Sequence, residues 1–266
     1  MTEYEVAIVK YGSRTTTRSD VYLNYQVYHA PDGPIGMDYF FWVVRNADRT
    51  VLVDTGFSDL GGRRRQRTML IDPVEACARL GILPAAAPTV VVTHAHYDHI
   101  GNLARFPRSD IVIAERELAF WATGTSRHPQ FHHSVEDDEL AALRAAREEG
   151  RVVTFADRHE LAPGIEVLEV GGHTPGQSVV RVATGDGTAL LASDAIHYYE
   201  EYEQNMPFMS VANLVDMYRA FDRVRDMVKA GEVDHVVSGH DPGTLARFTP
   251  ARGELNDVVA TIGRPA

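Results

Sequence analysis

Cysteine is almost absent from this chain: Cys77 is the single one in 266 residues, so an internal disulfide is excluded. No apolar stretch approaches the roughly eighteen residues of a membrane span. The segment from Met1 to Lys10 lacks the charged-then-apolar pattern of a secretion signal. These absences lead to the expectation of a cytoplasmic protein with no membrane partner. Positive charge is also scarce. Twenty-six Lys and Arg face 37 Asp and Glu, and a net charge of −11 repels nucleic acid and anionic lipid at long range. A small-molecule substrate is the expected partner. No short-period repeat, low-complexity tract or linker divides the chain, which predicts a single domain over residues 1–266.

The one basic run, Arg63, Arg64, Arg65 and Arg67, offers two readings. It is a solvated loop, the simpler account, or a greeting surface for an acidic substrate group. Cys77 lies in a helix-like stretch and is expected to pack.

Strand-forming residues crowd the first fifth of the chain, at Tyr4 to Tyr11, Val21 to Tyr28, Tyr39 to Arg45 and Thr50 to Val53. Helical and strand patterns then alternate. Pro73 to Leu80, Ile100 to Phe106 and Glu115 to Trp121 read as helical; Thr89 to Thr93 and Ile111 to Ala114 read as strands. Glu136 to Gly150 reads as a helix with acidic residues in its first turn, where the macrodipole favours anions. The second half repeats the scheme, with strands at Arg151 to Phe155, Ile165 to Val170, Ser178 to Val182 and Ala189 to Ala192. A long helix, Val211 to Ala230, precedes a strand at His235 to Ser238. The order predicts an α/β architecture of layered sheets and helices.

Directly after an apolar strand, Thr93-His94-Ala95-His96-Tyr97-Asp98-His99 places four metal-capable side chains within six residues. In an extended turn His94 and His96 point to one side, while Asp98 and His99 open the next helix and face elsewhere. One loop can therefore serve two metals. His173, Asp194 and His240 each follow a further apolar strand with glycine or serine beside them. Imidazole and carboxylate are zinc donors, and a catalytic site keeps a position for water. His29, His128, His132, His133, His159 and His235 lack such spacing.

The HxHxDH segment together with His173, Asp194 and His240 resembles the metallo-β-lactamase superfamily over nearly the whole chain. The resemblance implies a four-layer αββα sandwich. It implies a first metal on His94, His96 and His173, a second on Asp98, His99 and His240, and Asp194 bridging both. The metals implied are two zinc ions, with manganese, cobalt or iron as alternatives. Val51-Leu52-Val53-Asp54-Thr55-Gly56 resembles the superfamily's early turn, in which Asp54 would orient a ligand histidine.

Among subfamilies, Asp194-Ala195-Ile196-His197-Tyr198-Tyr199-Glu200, then Met206-Pro207-Phe208 and a long helix, resembles the N-acyl homoserine lactonases. That implies a quorum-quenching hydrolase that opens a small lactone with a metal-bridging hydroxide, oriented by Asp98, and a homodimer. Quorum-quenching lactonases carry a tyrosine three residues after the bridging aspartate; here the position is His197. His197 and Tyr198 are therefore candidate catalytic residues, with Tyr199 and Tyr202 as substitutes. Gly36 to Phe41, Phe120 to His133 and Phe208 to Met209 are candidate pocket walls. Three alternatives stay open: another ester, amide or thioester hydrolase of the same fold, an iron oxidoreductase similar to persulfide dioxygenases, and a metal-stabilised binding protein.

Overall fold

The computed structural model describes residues 2–263. Strands β1 (Glu5–Thr17), β2 (Pro34–Arg45), β3 (Thr50–Val53), β4 (Thr68–Met69), β5 (Thr89–Val92), β6 (Ile111–Ala114) and β7 (Val152–Phe155) belong to one sheet. β8 (Arg158–Ala162), β9 (Ile165–Glu169), β10 (Ser178–Thr184), β11 (Gly187–Ser193) and β12 (His235–Ser238) form a second. β13 (Thr249–Pro250) and β14 (Val259–Ile262) return to the first, whose order is β13-β14-β1-β2-β3-β5-β6-β7 with β4 paired to β1. The helices are α1 (Asp59–Arg64), α2 (Pro73–Arg79), α3 (Tyr97–Ile100), α4 (Glu115–Phe120), α5 (Pro129–His132), α6 (Asp137–Glu148), α7 (Tyr199–Gln204) and α8 (Leu214–Lys229).

Side-chain alternation along the strands builds the layers. On β1 and β2, Val6, Ile8, Phe40, Trp42 and Val44 face Val167, Val180, Val182 and Leu191 of the second sheet. Their neighbours Ala7, Val9, Phe41 and Val43 face the other way, joining Ala76 and Cys77 of α2, Leu118 of α4 and Leu140 and Leu143 of α6. On the far side, Leu168, Val179 and Leu190 pack under Met217, Phe221 and Val224 of α8. Helix, sheet, sheet, helix is the αββα order. Among the described residues no helix is long and apolar enough to cross a membrane.

Two segments depart from the sequence expectation. Val21 to Tyr28 is not a strand; Tyr25–Tyr28 is a 3-10 helix flanked by Asn24 and His29 in the left-handed region. Tyr22, Tyr25 and Tyr28 recur every three residues, so a 3-10 turn stacks them on one face, with Tyr22 and Tyr25 6.0 Å apart. The helical stretch expected from Ile100 to Phe106 is interrupted: α3 ends at Ile100, and Leu103–Arg105 turns again as a 3-10 helix. A Cβ on Gly101 would lie 2.4 Å from the Ser58 nitrogen, and the Asn102 amide donates to the carbonyls of Thr55 and Phe57. Tertiary contact thus ends that helix. β8, α7 and the β14 edge carry no sharp local signal in the sequence.

The strands that matter converge at one edge. Parallel β3 and β5 align Val53 with Val91, and parallel β11 and β12 align Ser193 with Ser238. The Thr93 hydroxyl lies 2.9 Å from the Ser193 hydroxyl and so ties the two sheets at that edge.

Candidate metal centre

Each candidate ligand follows the carboxyl end of a strand, where the chain leaves the sheet and must turn. Asp54 and Ser193 make that turn at φ of 63° and 46°, a region costly for residues other than glycine. Gly239 makes room for it: a Cβ there would lie 2.6 Å from the Ser193 carbonyl oxygen and 2.9 Å from Asp194 Oδ1.

The seven side chains read from the sequence meet in two groups, His94, His96, His173 and Asp194 in one, Asp98, His99 and His240 in the other. Asp194 stands between them. Its Oδ2 is 3.7 Å from His94 Nε2 and 3.4 Å from His173 Nε2; its Oδ1 is 3.3 Å from His99 Nε2 and 3.1 Å from His240 Nε2. His96 Nδ1 is 2.9 Å from His173 Nε2. Asp98 lies 3.8 Å from both His99 and His240. Ligands at about 2 Å around a tetrahedral zinc stand roughly 3.3 Å apart.

The donor set fits a metal pair on a second count. Among the described residues, His94 Nε2, His99 Nε2 and Asp194 Oδ1 are buried without a hydrogen-bond partner. Buried polar atoms are otherwise paired, and a cation between them satisfies all three. Burial first, and the neighbouring histidines next, hold His94 and His96 well below the usual imidazole range and His173 at about 3. Neutral imidazoles keep the lone pair that a metal takes. Burial opposes charge on Asp194, yet His240, His197, His99 and His94 outweigh it and keep the carboxyl ionised.

The outer ring nitrogens are also held. His99 Nδ1 lies 2.8 Å from Asp54 Oδ2, and Asp54 accepts from the Thr93 amide at 2.8 Å and its hydroxyl at 2.7 Å. His173 Nδ1 donates to the Ser210 carbonyl and His240 Nδ1 to the Asp38 carbonyl, both at 2.7 Å. Glu117, fully buried, accepts from the Ala95 amide at 2.9 Å, the Gly176 amide at 3.0 Å and the Trp121 indole at 2.8 Å. It spans the His94–His96 loop and the His173 loop. Sequence reading missed Glu117, because a carboxylate serving main-chain amides leaves no spacing signature.

His197 reaches the centre: its Nε2 lies 3.1 Å from Asp194 Oδ2. Glu201, also fully buried, accepts the His197 main-chain amide at 3.0 Å and lies 3.4 Å from its Nδ1. Burial works against a charged His197, but Asp194 and Glu201 outweigh it and raise its pKa to about 9. Tyr198 does not reach the centre. Its hydroxyl donates to the Gly36 carbonyl at 2.9 Å and it does not line the cavity. Tyr199 is similarly committed, to the Val236 carbonyl.

Above the centre lies a cavity of about 360 Å³, floored by Asp98, Asp194, His96, His173, His197 and His240. Met37, Tyr39, Tyr97, Phe208 and Met209 wall it, together with Arg14, Arg65 and Arg67. A second cavity of about 310 Å³ shares His96 and His173 and is lined by Phe120, Trp121, Phe131 and Val211. The basic run divides: Arg63 and Arg64 are exposed, as a solvated segment would be, while Arg65 and Arg67 turn inward. Arg63 and Arg64 close α1, Arg65 pairs with Glu136, and Arg65 and Arg67 face the first cavity.

Comparison with known proteins finds relatives of this chain. N-acyl homoserine lactonase AiiB of Agrobacterium fabrum is 31% identical over 181 residues, covering 60% of this chain and 64% of that protein. The chain thus spans a little under two thirds of the length of the curated relatives it matches. A solved N-acyl homoserine lactone hydrolase with N-hexanoyl-L-homoserine at its catalytic metal centre superposes with a TM-score of 0.77 at 18% identity, covering 96% of this chain and 98% of that one. AidC, a dizinc quorum-quenching lactonase, superposes with a TM-score of 0.72 at 18% identity over 100% and 96%. The sequence pattern of the metallo-beta-lactamase superfamily runs through residues 37–240, from the strand beside Tyr39 to the last histidine of the centre. The chain belongs to that superfamily.

Proposed function

We propose that this protein is a metal-dependent hydrolase that opens the ring of a small lactone, within one domain. The observation that carries the reading is the convergence of seven metal-capable side chains, five of which line the floor of the 360 Å³ cavity beside His197. Relatives named as N-acyl homoserine lactonases support the lactone, and the aromatic second cavity beside His96 and His173 suits an acyl tail. His94, His96 and His173 would hold one metal, Asp98, His99 and His240 the other, and Asp194 both; the nitrogen and oxygen donors suit zinc, with manganese, cobalt or iron also accepted. Such a pair supplies an acidified water and a Lewis acid for the carbonyl.

The remaining work falls to the chain. Asp98 accepts a hydrogen bond from the attacking water and orients it. His197, held from behind by Glu201, presents Nε2 to the ring's carbonyl or leaving oxygen, the place taken by tyrosine in the related lactonases. Phe208, stacked on His197 at 3.8 Å, narrows the approach from one side. The lone buried Cys77 supports a cytoplasmic setting, and a homodimer is what the lactonase resemblance implies.

Reconstitution with each metal followed by a panel of lactones, read by acid release, tests the proposal. Ring opening with about two metals per chain is expected, and Asp98→Asn or His173→Ala should lose it by about a hundredfold or more. Full activity in either variant refutes the mechanism, and one iron per chain with no lactone turnover points to oxidation instead.

A further inference from the structure

The cavity wall carries positive charge that the lactone reading leaves unexplained. In a chain with eleven more acidic than basic side chains, most arginines find a carboxylate. Arg14 and Arg67 do not: among the described residues neither has an acidic group within ion-pair distance, although both line the cavity. The one hydrogen bond from the Arg14 side chain runs from Nε to the Met37 thioether at 3.2 Å, a weak acceptor. Arg67, half-buried, donates to the Tyr97 phenol at 3.2 Å and to the Arg65 carbonyl. A partly desolvated guanidinium without a counter-ion is costly, and a site that keeps two of them facing one space is ready for an anion.

The fold brings them together from separate segments. β1 pairs Arg14 with Met37 of β2, and β4 adds on at Gly12 and Ser13, which sets Arg67 beside the same wall. Tyr39 lies between: the Arg67 guanidinium is 5.9 Å from its ring centre, and the ring meets His240 edge-on at 5.0 Å. The guanidiniums therefore stand to one side of the metal-capable floor, away from the aromatic second cavity. Asp20, exposed at the rim, is the one carboxylate of the lining outside the six floor residues, and solvent screens it.

We propose that the cavity takes a lactone bearing a second, anionic group, a carboxylate or a phosphate monoester, which Arg14 and Arg67 grip while the ring carbonyl lies on the floor. The proposal rests on the lactone reading and narrows its substrate class. Ring opening joins the water oxygen to the carbonyl carbon, breaks the ring acyl C–O bond and moves a proton to the leaving oxygen, so the product gains one further carboxylate.

Two matched pairs of probes test it: 5-oxotetrahydrofuran-2-carboxylate against its methyl ester, and 6-phosphogluconolactone against gluconolactone. The anionic member of at least one pair should win in kcat/KM by about tenfold, mainly through KM, and the winning pair names the anion. That ratio should fall about tenfold in Arg14→Gln or Arg67→Gln. It should also fall with added salt in the unaltered protein, which keeps the test decisive should a variant fail to fold. A ratio of one or below in both pairs, with the neutral lactones opened, overturns the anion proposal and leaves the lactonase standing. If no lactone is opened, the lactonase reading fails. Calorimetry on the zinc-loaded protein then decides the grip, with 2-hydroxyglutarate expected to bind about tenfold more tightly than 4-hydroxybutyrate; equal affinity overturns it.

Discussion

The two sides of the centre are braced by different chemistry. On the first-sheet side, His94, His96, Asp98 and His99 come from one short loop, and buried carboxylates hold it: Asp54 under His99 and Glu117 under Ala95. On the second-sheet side, His173, Asp194 and His240 follow three separate strands. Two of them are held by main-chain carbonyls, of Ser210 and Asp38. Asp38 also takes the His240 carbonyl on its own amide at 3.0 Å, so backbone clamps backbone. A side-chain brace can be removed by one substitution, whereas a backbone brace survives almost any.

The sharpest break in this comparison is Asp54→Asn. The carboxylate accepts three hydrogen bonds with no exposure to water, and an amide turns one acceptor into a donor facing other donors. Metal affinity at the Asp98, His99 and His240 group should fall roughly 10- to 100-fold. Unfolding free energy should fall by about 3 kcal/mol. Chelator competition and denaturant melts read the two effects.

The same difference governs what the sequence makes legible. The seven candidate ligands and Asp54 stand out because strand ends, short spacing and glycines mark them locally. The carbonyls of Ser210 and Asp38 leave no mark, since any residue supplies a carbonyl. Arg14 and Arg67 become neighbours only through the pairing of β1 with β4, and β4 is two residues long. The direction of Tyr198 is hidden for a related reason: it sits one residue beyond His197, but the turn into α7 sends its hydroxyl to Gly36.

Glu117→Gln strikes the other carboxylate brace. One of the amides of Ala95 and Gly176, or the Trp121 indole, then loses its acceptor, at a cost of about 1–3 kcal/mol. Metal affinity at the His94, His96 and His173 group should fall about tenfold while the second group is spared. Site-resolved metal titration separates this pattern from that of Asp54→Asn; an equal loss at both groups would mean that the loop moves as one body.

A third buried carboxyl on this side responds to pH. Glu139 of α6 accepts from the Ser58 hydroxyl at 2.9 Å, while its Oε2 has no partner. Burial, outweighing Ser58 and aided by Glu136, raises it from its ordinary 4.5 to about 7. The folded chain thus keeps a proton that the unfolded chain gives up at lower pH. Its favourable contribution is complete below about pH 4.5 and is lost as pH rises through about 7. Relative to Glu139→Gln, the unaltered protein should lose about 2 kcal/mol of stability between about pH 5 and pH 8, read from urea melts. A flat difference across that range would place the carboxyl in its ordinary range.

The smallest effect is the most direct test of the backbone side. Ser210→Ala removes a side chain beside the carbonyl that receives His173 Nδ1 at 2.7 Å, and leaves the carbonyl itself. Among the described residues the Ser210 hydroxyl makes no hydrogen bond, so its loss strands no partner. Metal affinity should stay within about twofold and stability within about 0.5 kcal/mol. The same truncation at Asp54 or Glu117 removes the acceptor along with the side chain. A tenfold loss of metal in Ser210→Ala would mean that the hydroxyl itself orders this stretch of backbone, and the division between the two sides would fail.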